Sequence, residues 1–169
     1  MKHLICLIAI GIAAMAATPS SASELTMLSE TPYAEGSRVA AKIKEECVKL
    51  QGQLPAYTQE YAREHGIEVQ LADSIDPQAG GRVLVVEITD AISRGNPFLG
   101  HQKSSEVEGT LWENGAEVGS FRGMRHSMGG FGAGYKGSCS VLGRTVKALG
   151  KDIAEWLKDP RDGAELGDQ

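Results

Sequence analysis

Long apolar runs are scarce in this sequence. One extends from Leu4 to Ala17, and no second segment is long enough to span a bilayer. Basic charge is short too: 17 Lys and Arg stand against 22 Asp and Glu, a formal net charge of −5. That balance argues against nucleic acid as a partner, because a phosphate backbone attracts basic surfaces. Catalytic signatures are missing. There is no Gly-x-Ser-x-Gly elbow, and no glycine-rich stretch ends in the Lys-Ser/Thr of a phosphate loop. The four His and three Cys show no metal-ligand spacing, so no metal site is expected. What remains is an ordinary globular composition, 41% hydrophobic over 169 residues, which suits one domain with one core.

Residues 1–22 have the layout of a secretory leader. Lys2 and His3 precede the apolar run, and Ser20-Ser21-Ala22 offers small residues at a cleavage position. The alternative is a retained N-terminal anchor. Cys6 lies too early in the run to carry a lipid. The expected product is a periplasmic or secreted protein cut near Ala22, with no transmembrane segment in the mature chain. Its net charge is about −6 once Lys2 is lost.

Along the remainder, Ser23 to Ser29 carries no packing signal and reads as a loose arm. Val39, Ile43, Cys47 and Leu50 recur on one helical face, with Thr31-Pro32 as a start and Gly52 as a stop. A short helix from Pro55 to His65 follows. Ile67, Val69 and Leu71 alternate as a strand, and Val83 to Ile88 is the most strand-like and central segment. Ser93 to Ser105 has no period and reads as a long loop. Two further strands meet at Asn114-Gly115, a pair suited to a two-residue turn with positive φ. Val107, Gly109 and Leu111 on one strand face Val118 on the other. The glycine-rich crossing from His126 to Gly137 leads into a helix with Leu142, Val146, Leu149, Ile153 and Trp156-Leu157 on one stripe. Pro160 ends it, and residues 161–169 read as a polar tail. The expected fold is α+β: an antiparallel sheet of about four strands in one domain, residues 23–160, with N-terminal and C-terminal helices mainly on one face.

Export leaves Cys47 and Cys139 in an oxidising compartment. If the first and last helices lie side by side and antiparallel, these cysteines adjoin and a disulfide closes a loop of about 90 residues. The alternative is two buried free thiols.

Candidate binding residues fall into two groups. Phe98, Leu99 and His101 lie in the Ser93 to Ser105 segment, where an apolar pair either tucks into the core or meets a partner. Arg122, Arg125, His126 and Lys136 flank the glycine-rich crossing. There, amides at a helix start could take an anion, or the charges could form a solvated basic rim. Gly132 to Gly137 matches the letters of a dinucleotide turn, but no strand is expected after the final helix to complete the unit, so no cofactor is expected. No catalytic constellation assembles, so no catalytic residue is named.

The ending Gly137-Ser138-Cys139-Ser140, then Leu142, Leu149 to Ala154 and Trp156-Leu157, resembles small exported bacterial envelope proteins of a domain-of-unknown-function type. Gly115 and Gly119-Ser120-Phe121 add to the likeness, which covers the last third of the chain. The resemblance implies an α+β domain with a terminal helix on its sheet, a bacterial periplasmic setting and a non-enzymatic role. The lipid-anchor cysteine of many such proteins is missing here. The expected function is therefore a binding or envelope-assembly accessory module, with an envelope protein, glycan or lipid as partner. The alternative is a small secreted hydrolase or inhibitor-type protein acting on an envelope component.

Overall fold

The computed structural model describes residues 23–96, 100–127 and 137–168, with the side chains of Ser23, 94–96 and 100–102 left out. In chain order the elements are β1 (Ser23–Leu28), α1 (Ala41–Glu46), α2 (Leu50–Glu64), β2 (Ile67–Ala72), β3 (Arg82–Asn96), β4 (Gly100–Glu113), β5 (Ala116–Ser127), α3 (Ser138–Trp156) and β6 (Ala164–Gly167). They form a mixed α/β fold, with one six-stranded sheet ordered β2-β1-β3-β4-β5-β6.

The sheet differs from the four antiparallel strands expected. β3-β4 and β4-β5 are antiparallel, whereas β1 pairs in parallel with β2 and β3, and β5 pairs in parallel with β6. The chain thus makes two strand–helix–strand crossovers, one through α1 and α2 and one through α3. The supposed loose arm is β1, with Leu25 and Met27 buried. The supposed polar tail contains β6, whose four residues are too short to show a period. Most of the segment read as a loop from Ser93 to Ser105 is ladder: Ser93 pairs with Lys103 and Asn96 with Gly100.

The helices also shift. The stretch given to one long first helix, Thr31 to Gly52, holds the short α1 and then the opening residues of α2, so Gly52 lies inside a helix rather than ending one. Pro55 is interior to α2, where it supplies no N–H to the carbonyl four residues back. That carbonyl, on Gln51, instead accepts from the Thr31 N–H at 2.9 Å, and Gln51 Nε2 donates to the Thr31 carbonyl at 3.2 Å. A helix-breaking residue is accommodated by tying the helix to the segment after β1.

One face of the sheet is covered. Leu25, Met27, Leu84, Val86, Ile88, Val107, Leu111 and Phe121 join a single core with the α2 and α3 stripes. The opposite parity, Glu87, Glu108 and Arg122 among it, faces out. A register shift between Ile88 and Asp90 turns Ala91 inward and Asp90 to the open side. The expected partner Val118 points outward, 41% exposed. Under α3 the inward pairs are instead Val107–Gly123, Gly109–Phe121 and Leu111–Gly119, one glycine to each large side chain. Phe121 leans over Gly109 and meets Trp156 edge-on, centroids 4.8 Å apart. Asn114 and Gly115 both have positive φ, 51° and 81°, as the turn requires.

α2 and α3 run parallel. Gln53 lies against Gly143, Tyr57 and Thr58 against Gly150, and His65 Nε2 is 3.3 Å from Glu155. The approach at Gly150 is at backbone distance: a Cβ there would lie 2.7 Å from Tyr57 Cβ and 3.0 Å from the Thr58 nitrogen. Overpacking of that kind costs about 1–3 kcal/mol, against about 1 kcal/mol returned by helix propensity. Gly150→Ala is therefore expected to lower the urea midpoint clearly. Gly143→Ala meets only the movable end of Gln53, at 3.3 Å, and should leave the midpoint nearly unchanged. Equal midpoints for the two variants would contradict the close helix contact.

Candidate functional site

The N-terminal ends of α2 and α3 meet at a disulfide. Cys47 caps α1 three residues before the start of α2, and its N–H returns to the Ile43 carbonyl. Cys139 is the second residue of α3, and the two Cα atoms are 5.2 Å apart across 92 residues. The helices behind the bridge are parallel, so start joins start. The expected bridge is present, but the helix ending at Cys47 is only the short α1, and the long helix set beside α3 is α2, which begins after the cysteine.

Beside the bridge lies a cavity of about 400 Å³, lined by Ile43, Cys47, Ala91, Ser93, Lys103 and Ser138 among others. Lys103 is its unusual member. It stands on the inward side of β4, in line with Ser105, Val107 and Leu111, and is only 3% exposed. Its Nζ donates to Ser93 Oγ at 2.5 Å and to Ser138 Oγ at 3.4 Å. Among the described residues no carboxylate pairs with it, and the remaining residues of the chain include no Asp or Glu. Burial pushes the Lys103 ammonium below its ordinary pKa, as expected for a cation removed from water.

The same corner holds the start of α3. Its N-cap, Gly137, offers no side chain, no acidic residue stands in the first turn, and Ser140 and Val141 N–H both return to the Gly137 carbonyl. The partial positive charge of a helix start is thus unanswered by any side chain of that turn. Other cations nearby are committed. Arg38 binds Asp90 at 3.0 Å and Glu106 at 2.9 Å, and Lys42 is 3.8 Å from Glu46.

The residues expected from sequence are dispersed. Arg122, on the open face, donates twice to Glu108 Oε1, at 2.9 and 2.7 Å. Arg125, of the other parity, is held by Asp152 at 2.7 Å and Asp168 at 2.8 Å. His126 gives its backbone N–H to Asp168 Oδ2 at 2.8 Å, and its side chain is exposed. Strand alternation keeps the two arginines apart. His101 lies on β4 opposite Gly95. Phe98, Leu99 and Lys136 fall outside the described residues, as does most of the glycine-rich crossing.

The missing return strand no longer excludes a dinucleotide unit, because β6 follows α3 in parallel with β5. Asp168, at the carboxyl end of β6 where such units place an acid for the ribose, is already engaged by Arg125 and the His126 amide. Among the described residues no group of three metal-ligating side chains occurs, and no helix is long and apolar enough to cross a membrane.

Three comparisons set the chain beside known proteins. No family model matches, and no curated protein matches. Among solved structures, the chain is similar to a minor lipoprotein from Acinetobacter baumannii at 13% identity, over 80% of this chain and 92% of that one, TM-score 0.46. It is similar to lipoprotein GNA1162 from Neisseria meningitidis at 15% identity, over 79% and 99%, TM-score 0.47. It is also similar to the PelC dodecamer from Paraburkholderia phytofirmans at 16% identity, over 74% and 86%, TM-score 0.46.

Two predictions follow from this geometry. A bridge closing so long a loop is worth roughly 4 kcal/mol in the chain-entropy model, so the Cys47→Ala/Cys139→Ala double variant should lose stability on that scale in urea denaturation. Loss of a few tenths would show that the bridge constrains little. The second concerns Asp168, whose pKa is held below its usual value chiefly by the His126 N–H and then by Arg125. A depressed carboxylate contributes stability above its unfolded pKa and loses it as pH falls through the folded value. The melting-temperature gap between the protein and Asp168→Asn should thus be widest near neutrality and close in acid; a gap constant with pH would rule out that contribution.

Proposed function

We propose that the chain works outside the cytoplasm as a non-enzymatic binding module, an accessory of the cell envelope. Its working surface is the end where the starts of α2 and α3 are clipped together. The observation that carries the reading is the Cys47–Cys139 bridge, whose Cys47 lines the cavity. Disulfides of this kind persist in oxidising compartments and are rare where thiols are kept reduced. The secretory layout of residues 1–22 points to the same compartment independently.

The position of the end suits presentation. β1 begins level with Ile67, which follows the far end of α2, so the chain enters the fold at the opposite pole from the bridge. On this reading Phe98 and Leu99, which lie between β3 and β4 in the sequence, take part in binding the partner.

A second reading has one observation in its favour. The 2.5 Å pair of Ser93 and Lys103 is an arrangement that serine hydrolases with a lysine base employ. Against it, Lys103 also reaches Ser138, and an ammonium donating to two hydroxyls is a holder of oxygen rather than a base.

Fusing an alkaline phosphatase reporter, active only once its own disulfides form, to the C-terminus should give an active reporter. The Phe98→Ser/Leu99→Ser variant should export normally and lose capture of its envelope component in cross-linking on intact cells. An inactive reporter removes the compartment from the account. Turnover of ester or amide substrates that disappears in Ser93→Ala would put the hydrolytic reading in its place.

A further inference from the structure

A lysine is almost never fully buried unless it is paired. An isolated ammonium taken out of water costs several kcal/mol even after relaxation. Lys103 is 3% exposed, and among the described residues the hydrogen-bond partners of its ammonium are two hydroxyls. Two hydroxyl oxygens satisfy hydrogen-bonding directions but supply no counter-charge. No Asp or Glu exists in the segments outside the described residues to provide one.

The groups around the ammonium share one preference. The Ser93 and Ser138 hydroxyls can each turn to donate, and the Ser138 and Cys139 amides, ahead of the two that return to Gly137, open a helix whose first turn carries no acidic residue. Amides and hydroxyls arranged about one cation suit an oxyanion with oxygens on several sides, which a phosphoryl group has. The cavity of about 400 Å³ opens on this cluster and has room for such a group with a substituent. The other charges on its rim, Arg38 with Asp90 and Glu106, Lys42 with Glu46, balance without a ligand.

We propose that this cavity binds a phosphoryl group, with the Lys103 ammonium as its charge partner and Ser93, Ser138 and the start of α3 as its hydrogen-bond donors. The inference rests on the binding-module reading and names the chemistry that the module recognises. Ser93 and Ser138 then release the ammonium to the phosphoryl oxygens and donate to those oxygens themselves. The phosphate can belong to a soluble ester or to an anionic lipid headgroup; the chemistry at Lys103 is the same for both.

The test uses the full mature chain. Isothermal titration with inorganic phosphate, at constant ionic strength set by chloride, should give one site per chain. Lys103→Met should weaken it by about a hundredfold or more and Ser138→Ala by about tenfold, the scale of hydrogen bonds to a charged group. Arg122→Ala, on the open face, should bind as the parent does. Lys103→Met should also melt higher than the parent in phosphate-free buffer, because it removes an uncompensated buried charge. Should that variant fail to fold, Ser138→Ala carries the test alone. Sedimentation with phosphatidylglycerol vesicles, set against phosphatidylcholine, separates the sources. Vesicle binding that needs Lys103 and yields to phosphate puts the group on a lipid, and phosphate binding without vesicle binding puts it on a soluble ester. No binding in either arm, or binding indifferent to Lys103→Met and Ser138→Ala, overturns the inference. A protein that is exported and captures its partner yet ignores phosphate overturns this inference alone, whereas a phosphate-binding protein with an inactive reporter overturns only the compartment.

Discussion

The structure depends on two helices, far apart in sequence, lying parallel at backbone distance. Gly150 lets α3 approach the Tyr57–Thr58 turn of α2, the disulfide joins the helices at their starts, and His65 meets Glu155 near their ends. Parallel helices on one face follow from what each must do. α2 returns the chain from β1 to a strand parallel to it, and α3 does the same from β5 to β6. Two such crossovers over one sheet face bring both helices down the sheet in the same sense. An antiparallel helix pair would have put Cys47 and Cys139 at opposite poles.

The sheet below is shaped to receive that pair. Three glycines on β4 and β5 each face a large side chain, so Phe121 can lie across Gly109 and still reach the Trp156 ring. Leu149 presses on Gly123 in the same way. The result is a thin layer under α3 with few aromatic residues, consistent with a sequence that has only 5% of them. The polar face opposite carries its charges in pairs: Arg122 with Glu108, Arg38 with Asp90 and Glu106. The exposed pair of Arg122 and Glu108 contributes little to stability, whereas Asp90 is itself buried and needs Arg38 as its counter-charge.

Much of this was legible from residue order, and the failures have physical causes. The Asn114-Gly115 turn, the α3 stripe and the β2 alternation are local signals, and the structure carries all three. Strand pairing is not local. Nothing in Ser-Glu-Leu-Thr-Met-Leu states that β1 inserts between β2 and β3, although Leu25 and Met27 do alternate as a half-buried strand should. Pro55 imitated a helix start because its requirement, a carbonyl left without an N–H, is met by Thr31 from a distant part of the chain. The basic residues picked out near the glycine-rich crossing were sound as a charge count. They failed as a site because period-two alternation sends Arg122 and Arg125 to opposite faces, each to its own carboxylates.

Lys103 was missed for the converse reason. Read as part of a loop it is an ordinary surface lysine. Once the β4 ladder continues back to Gly100, the parity of Leu111, Gly109, Val107 and Ser105 carries inward to Lys103. Thr145 shows what a polar group on that row needs: it binds Ser105 at 2.6 Å and its own helix at Leu142 at 2.7 Å, and is satisfied without charge. One step further along the row, a cation stands where the neighbours offer hydroxyls and a positive helix end. Stability alone selects against that placement, since methionine fills the same space without desolvating a charge. A residue kept there against its own folding cost is best accounted for by something it meets, and the bridge of Cys47 and Cys139 holds the wall of the cavity in which the meeting takes place.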